Sequence, residues 1–253
     1  MKDKLLALTL LICISSSAFA QVSDIKGASS SNKGNGGGER GGRNSSGSSA
    51  AGSLVYMFFD VTIRGLAVWQ VNTLQHKGEV PNVLSLEVYG QAAIQPSTYY
   101  IFNPRVRGNW GIFLTDFRMN YMIEDKIGGP QDLRTDDWQI LGLNVVNTKN
   151  VTARISTGIM HEAFGGGATF NESVFGLSIM SNNQAIGGMG EFRWAKDYST
   201  GANPRLEASV SVQKKLFDRG PMHVFVTGGA MFQRYYNEIN VWGMQAGFAF
   251  KLY

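Results

Sequence analysis

The sequence predicts an all-β protein: a single antiparallel transmembrane β-barrel of about ten strands, within a range of eight to twelve, that follows a disordered Gly/Ser-rich N-terminal segment. Apolar and polar residues alternate from residue 83 to the end of the chain. The alternating segments are about 10–15 residues long, and the turn-rich gaps between them are long and short in turn. Alternation of this kind gives each strand one face for lipid and one face for a lumen, which is typical of barrels that cross membranes.

Residues 1–20 predict a signal peptide and therefore export. Lys2 and Lys4 form a basic start, and the run LLALTLLICI is apolar but too short to span a membrane as a helix. Ala18–Ala20 has the small-x-small pattern of a cleavage site, so we expect cleavage before Gln21.

Residue composition excludes several classes of site. Cys13 is the only cysteine and lies in the predicted signal peptide, which excludes disulfides, thiol catalysis and cysteine-based metal sites in the processed chain. The three histidines lack metal-binding spacing, so we expect no metal and no cofactor. The formal net charge of +4 is spread along the chain, which argues against nucleic acid as a partner.

Two segments precede the predicted barrel. Residues 21–53 are rich in glycine and serine and contain few apolar residues, so they predict a disordered linker. Residues 54–76 fit two interpretations, an amphipathic helix at the membrane surface or a first strand. As a helix, this stretch places Asp60 and Arg64 one turn apart opposite an apolar stripe. As a strand, it places apolar residues on one face and Asp60 and Arg64 on the other.

The predicted barrel occupies residues 83–253. Long gaps fall at 124–136, 162–172 and 197–204, and short gaps fall at 147–150, 181–184 and 217–221. The strands counted back from the C-terminus lie at about 239–253, 222–234, 205–217, 185–196, 172–182, 150–161, 137–147 and 110–123, with 98–109 and 83–94 upstream.

A change of phase near residue 110 decides the strand count. The apolar face switches between odd and even positions on either side of Gly108–Gly111. Because such a switch exchanges the two faces of a strand, this stretch predicts a tight turn or a β-bulge. The turn gives ten strands. The bulge gives nine, and ten only if residues 54–64 pair as a strand.

The signal peptide, the alternating strands, the order of loop lengths and the terminal Tyr253 resemble those of the small outer-membrane β-barrel proteins of Gram-negative bacteria. The resemblance covers residues 83–253 and concerns architecture rather than function. It implies a location in the cell outer membrane, contact with outer-membrane lipid and lipopolysaccharide, and recognition by the barrel-assembly machinery. The chain departs from the pattern because Lys251 and Gln245 lie in phase with Tyr253, whereas the apolar row ends at Leu252.

The inward faces of the predicted strands carry charges of both signs. These charges would pair with each other in a narrow lumen and block it. The predicted lumen charge network consists of Glu87, Arg105, Arg107, Asp116, Arg118, Arg154, Glu191, Arg193, Arg205 and Glu207. The alternative is a narrow porin-like channel lined by the same residues.

An enzyme is the second alternative, because small barrels can host lipid A-modifying enzymes. The candidate catalytic residues are His161 as base, Glu162 as its orienting carboxylate and Ser173 as nucleophile, near an outer strand end. Neighbouring residues on a strand point to opposite faces, so His161 and Glu162 would separate.

The leading prediction is a non-enzymatic outer-membrane barrel with a structural or interaction role. Its long loops or its N-terminal segment would meet a periplasmic or surface protein partner, or a ligand.

Overall fold

The computed structural model describes residues 22–34, 64–75, 80–95, 99–125, 129–164 and 166–253. The predicted signal peptide lies outside these residues, as do positions 35–63 of the predicted linker and of the segment that follows it.

Ten antiparallel strands form a closed barrel in which the first strand pairs with the last. A short 3-10 helix, Pro81–Val83, leads into the first strand. The strands are β1 (Leu84–Gln95), β2 (Tyr99–Trp110), β3 (Phe113–Glu124), β4 (Gln131–Asn147), β5 (Val151–Glu162), β6 (Thr169–Met180), β7 (Ile186–Lys196), β8 (Arg205–Arg219), β9 (Met222–Tyr235) and β10 (Ile239–Leu252). Closure matters because each strand then finds backbone partners on both sides.

The predicted count of ten strands is confirmed, and so is the turn between β2 and β3. Trp110 pairs with Phe113, and Gly111 adopts the left-handed conformation with φ of 69°. Glycine suits this position because it carries no Cβ that would clash there. The β-bulge interpretation of this stretch is wrong.

Two strands begin earlier than the sequence predicted. The fourth strand begins at Gln131 rather than at residue 137, and the sixth begins at Thr169 rather than at residue 172. Both early starts lie in polar stretches that read as loop. Their polar residues Asp132, Arg134 and Asn171 point away from the lumen and are exposed, whereas Leu133 and Phe170 point inward and are buried. The connections at this end, 125–130, 163–168 and 197–204, remain longer than 111–112 and 220–221 at the other end. We call the two ends the loop side and the turn side.

The wall of the barrel is polar inside and apolar outside. Burial alternates residue by residue, as in β2, where Arg105 and Arg107 are buried and Val106 is 44% exposed. This arrangement is the reverse of a water-soluble domain, in which apolar side chains fill the interior.

A helix, Val22–Gly34, closes the loop side of the barrel. These residues belong to the stretch 21–53 for which the sequence predicted a disordered linker. Val22, Ile25 and Ser29 lie on one helical face and are fully buried. The sequence argument counted too few apolar residues for a core, but two suffice because the barrel supplies the rest of the cluster.

Residues 64–75 form a second helix, at the turn side. The Gln70 side chain accepts a hydrogen bond from Ile112 N at 2.7 Å and donates one to Trp110 O at 3.1 Å. Its amide fills the space that a Cβ on Gly111 would need. In the described part of the chain, no helix is both long enough and apolar enough to cross a membrane.

Candidate functional site: the charged lumen and its loop-side mouth

The first group of charges in the lumen lies toward the turn side, and we call it the turn-side cluster. It comprises Arg105, Arg107, Arg154, Glu87, Asp116 and Glu191. Arg107 has no exposed surface and reaches Asp116 at 3.0 Å and Glu191 at 3.3 Å. Arg105 pairs with the same two carboxylates. Shared ion pairs of this kind offset the cost of removing the charges from water.

The second group, the loop-side cluster, comprises Arg118, Arg205, Asp137, Glu172 and Glu207. Arg193 connects the two clusters, because it lies 2.6 Å from Glu191 and 3.3 Å from Glu172. Together the two clusters and Arg193 contain six arginines and six carboxylates, so these charges balance.

All ten residues predicted for the lumen network lie inside the barrel and take part in these ion pairs. Sequence reasoning missed Asp137 and Glu172, because both were assigned to or beside loops. The signal was available in the sequence. Asp137 lies two positions before Gln139, and Glu172 lies two positions before Val174. Both Gln139 and Val174 face inward, and residues two positions apart on a strand share a face.

The clusters occupy the middle of the lumen. Two cavities among these side chains have volumes of about 20 Å³ and about 10 Å³. A cavity of this size holds about one water molecule. An ion or solute would therefore have to displace paired side chains in order to pass.

The structure does not bring the three candidate catalytic residues together. Glu162 points into the lumen, where it accepts hydrogen bonds from Ser29 and Tyr236 at 2.7 Å and 2.8 Å. His161 lies on the outer face and contacts the Thr169 hydroxyl at 3.0 Å. Ser173 also faces outward but pairs with Thr157, four residues along the strand from His161, or about 13 Å away.

The loop-side mouth differs from the middle of the lumen because its floor is apolar. Val22 and Ile25 of the N-terminal helix pack into this floor. The barrel residues that form it are Ala93, Tyr99, Ile101, Met122, Leu133, Phe164, Met231, Tyr235 and Val241. Two buried carboxylates stand above it: Glu124 accepts a hydrogen bond from Val22 N at 2.7 Å, and Glu162 accepts one from Ser29.

The N-terminal helix is held to the barrel by the buried side chains of Val22 and Ile25 and by hydrogen bonds from Val22 N and Ser29. The segment includes Gly27 and the run Ser29–Ser31, which are poor helix formers. The helix therefore depends on the mouth for its stability.

A row of polar residues at the mouth is left incompletely bonded. Gln95, Tyr99 and Glu124 are neighbours across β1, β2 and β3, and all three are buried. Within the described residues, the Gln95 Oε1 atom has no hydrogen-bond partner. The Tyr99 hydroxyl faces Glu124, to which it can donate its hydrogen. Buried polar atoms without partners are uncommon in folded proteins and call for an explanation.

The described residues contain no cluster of histidine, cysteine and acidic side chains that could hold a metal ion. No protein-family model matches the chain, and no curated protein matches it.

Proposed function

We propose that this chain is an outer-membrane β-barrel protein with a closed lumen and a structural or partner-binding role. The observation that carries the proposal is the reversed polarity of the barrel. A wall that is apolar outside and charged inside is stable where lipid surrounds it. In water the same wall would expose a continuous apolar surface, which soluble monomers avoid.

The outward side chains support this proposal over the whole wall. Most strands contribute large apolar residues that are more than a third exposed. Examples are Leu86, Val106, Phe117, Ile140, Ile155, Phe175, Val210, Phe232 and Phe248. Trp110, Trp138 and Trp194 are also exposed, and aromatic rings of this kind suit the boundary between lipid and water.

The C-terminus agrees only in part with recognition by the barrel-assembly machinery. β10 ends at Leu252, and the Tyr253 ring stacks on His223 with centroids 4.3 Å apart. The inward positions of Gln245 and Lys251 explain why the apolar row ends at Leu252. The chain thus presents its lipid-facing row one position out of phase with the terminal aromatic residue.

The filled lumen favours an interaction role over conduction. The paired arginines would each have to abandon a buried carboxylate before a path could open, at a cost of several kcal/mol. A lipid-active enzyme gains no support from the separated positions of His161, Glu162 and Ser173. Partners are therefore to be sought at the loop side, at the turn-side helix or in the N-terminal segment.

Membrane insertion can be tested with nitroxide labels at single cysteines, on a Cys13→Ser background. Val210, 66% exposed on the wall, and Tyr198, 72% exposed on a loop, form a matched pair of sites. In the reconstituted barrel we expect the label at Val210→Cys to be relaxed by oxygen and shielded from a water-soluble nickel chelate. The label at Tyr198→Cys should show the opposite behaviour. Equal nickel access at both sites would contradict a lipid-facing wall.

Conductance supplies the second test. The reconstituted protein should produce no steady current levels in planar bilayers. Reproducible open levels that change in the Arg154→Gln or Arg193→Gln variant would favour the channel instead.

A further inference from the structure

The loop-side mouth contains three neighbouring buried oxygen acceptors that are supplied with few hydrogens. Glu124 receives the Val22 N–H and faces the Tyr99 hydroxyl, whereas Gln95 Oε1 receives nothing from the described residues. All three residues are more than nine-tenths buried and adjacent across three strands. A primary ammonium group has three N–H donors and a positive charge, and it therefore matches this row in both number and sign.

The floor below the row is apolar and already accepts apolar side chains. Val22 and Ile25 are fully buried against it. A ligand that enters here must bring an apolar body as well as an amine. The backbone N–H of Val22 makes a neutral-donor hydrogen bond to Glu124, whereas an ammonium would make a charge-assisted bond, which is roughly twice as strong.

We infer that the loop-side mouth is a binding site for a primary ammonium group carried on an apolar body, and that the N-terminal helix is its displaceable occupant. Glu124 holds the ammonium, Tyr99 and Gln95 accept its remaining hydrogens, and the floor holds the apolar body. Both a peptide that begins with a free amine before apolar residues and an apolar small-molecule amine carry this chemistry.

The test uses the full chain with Cys13→Ser and Ser30→Cys, labelled with a nitroxide on the exposed face of the helix. Hexylamine, hexyltrimethylammonium and hexanol are titrated separately, and the mobility of the label reports release of the helix. The three probes share one apolar chain and differ only in charge and in N–H donors. We expect hexylamine to act at a concentration about tenfold or more below that of the other two probes, because only its head group donates charge-assisted hydrogen bonds.

Single substitutions identify the side chains that bind the ammonium group. In Glu124→Gln, hexylamine should release the helix only at the concentration that hexanol requires. In Tyr99→Phe, the concentration required should rise for hexylamine but not for the other two probes. Glu162→Gln, at the second carboxylate of the mouth, should preserve the preference for the amine. Equal potency of the three probes, or an unchanged preference in Glu124→Gln, would overturn the inference and leave Glu124 as a helix cap only.

A second titration separates the two sources of the ligand. A peptide with the sequence of residues 22–34 and a free amine should compete better than its N-acetylated form if peptides are the natural class. Equal competition by the two peptides, together with a response to hexylamine, would assign the site to small amines. Both titrations are done in detergent and do not depend on membrane location, so the proposed function and this inference can fail separately.

Discussion

The middle of the lumen and its loop-side mouth are both buried, and both contain carboxylates, but they are stabilised in different ways. In the middle, strand register itself places opposite charges side by side: Arg107 lies opposite Asp116, Arg118 opposite Asp137, and Arg193 opposite Glu207. At the mouth, Glu124 is satisfied by a backbone N–H that is 102 residues away in the sequence. The ion pairs of the middle therefore persist as long as the strands stay paired, whereas the packing of the mouth depends on a docked helix that we infer to be displaceable.

The largest expected effect comes from breaking the link between the two clusters. Arg193→Met removes a cation that lies within 3.5 Å of Asp116, Glu172 and Glu191. Carboxylates left buried without their partner should lower the free energy of unfolding by about 3–5 kcal/mol. Urea unfolding in lipid vesicles measures this change. Arg219→Met, at an exposed position of the turn side, is the control and should change stability little.

A change at the mouth should leave the barrel intact. Ile25→Ala removes buried methyl groups and should weaken docking of the helix by about 2 kcal/mol or more. Hydrogen exchange of residues 22–34 should then accelerate by about tenfold or more, with the unfolding midpoint of the barrel unchanged. Ser30→Ala, on the exposed face, should leave both properties as they are. If Ile25→Ala lowered the unfolding midpoint of the barrel as well as the protection of residues 22–34, the mouth and the middle of the lumen would form one cooperative unit.

The turn-side helix allows a smaller test. Gly111→Ala forces a Cβ into the position of the Gln70 amide, at a residue with positive φ. The cost should be about 1 kcal/mol or more, and hydrogen exchange of residues 64–75 should increase. Gln70→Ala should release the same helix without strain in the turn. Gly90→Ala, where a Cβ meets nothing within 4 Å, should have no effect on it.

The smallest expected effect lies in the loop between β7 and β8. Partial burial raises the pKa of Asp197, but hydrogen bonds from Ser199 and Thr200 outweigh it and lower the pKa to about 2. Because the folded pKa lies below the ordinary value, this contribution is present above about pH 4 and is lost as the pH falls toward about 2. Asp197→Asn should lower stability by less than about 1 kcal/mol at neutral pH, and the difference from the parent protein should vanish in acid. Paired urea titrations at several pH values would show this convergence, and a constant difference would contradict it.

Much of the barrel was predictable from alternation alone. Nine of the ten strands begin within three residues of their predicted positions, because a strand whose two faces meet different surroundings must alternate along its whole length. β4 and β6 begin earlier than predicted because polar residues such as Asp132 and Asn171 continue the ladder where water or polar neighbours meet the wall. Alternation also identified most of the charged lumen, and it missed Asp137 and Glu172 only where the strand limits were misplaced.

The N-terminal helix is a feature that no local sequence pattern indicated. Val22, Ile25 and Ser29 share one helical face, but no local pattern distinguishes this short face from the flexible segment that follows. Its partners, Tyr99, Glu124 and Glu162, are far from it in the sequence, and only the folded barrel brings them to the helix.

The sequence by itself determined which side chains face the lumen and which face outward, because the two-residue period of a strand assigns each residue to one face. It also determined that charges of both signs would meet inside a narrow barrel. Only the tertiary structure decided which arginine pairs with which carboxylate, because pairing across the lumen depends on the register of all ten strands. The same closure created the mouth, where an apolar floor and the row of Gln95, Tyr99 and Glu124 meet, since these residues come from strands that are adjacent only once the sheet is formed.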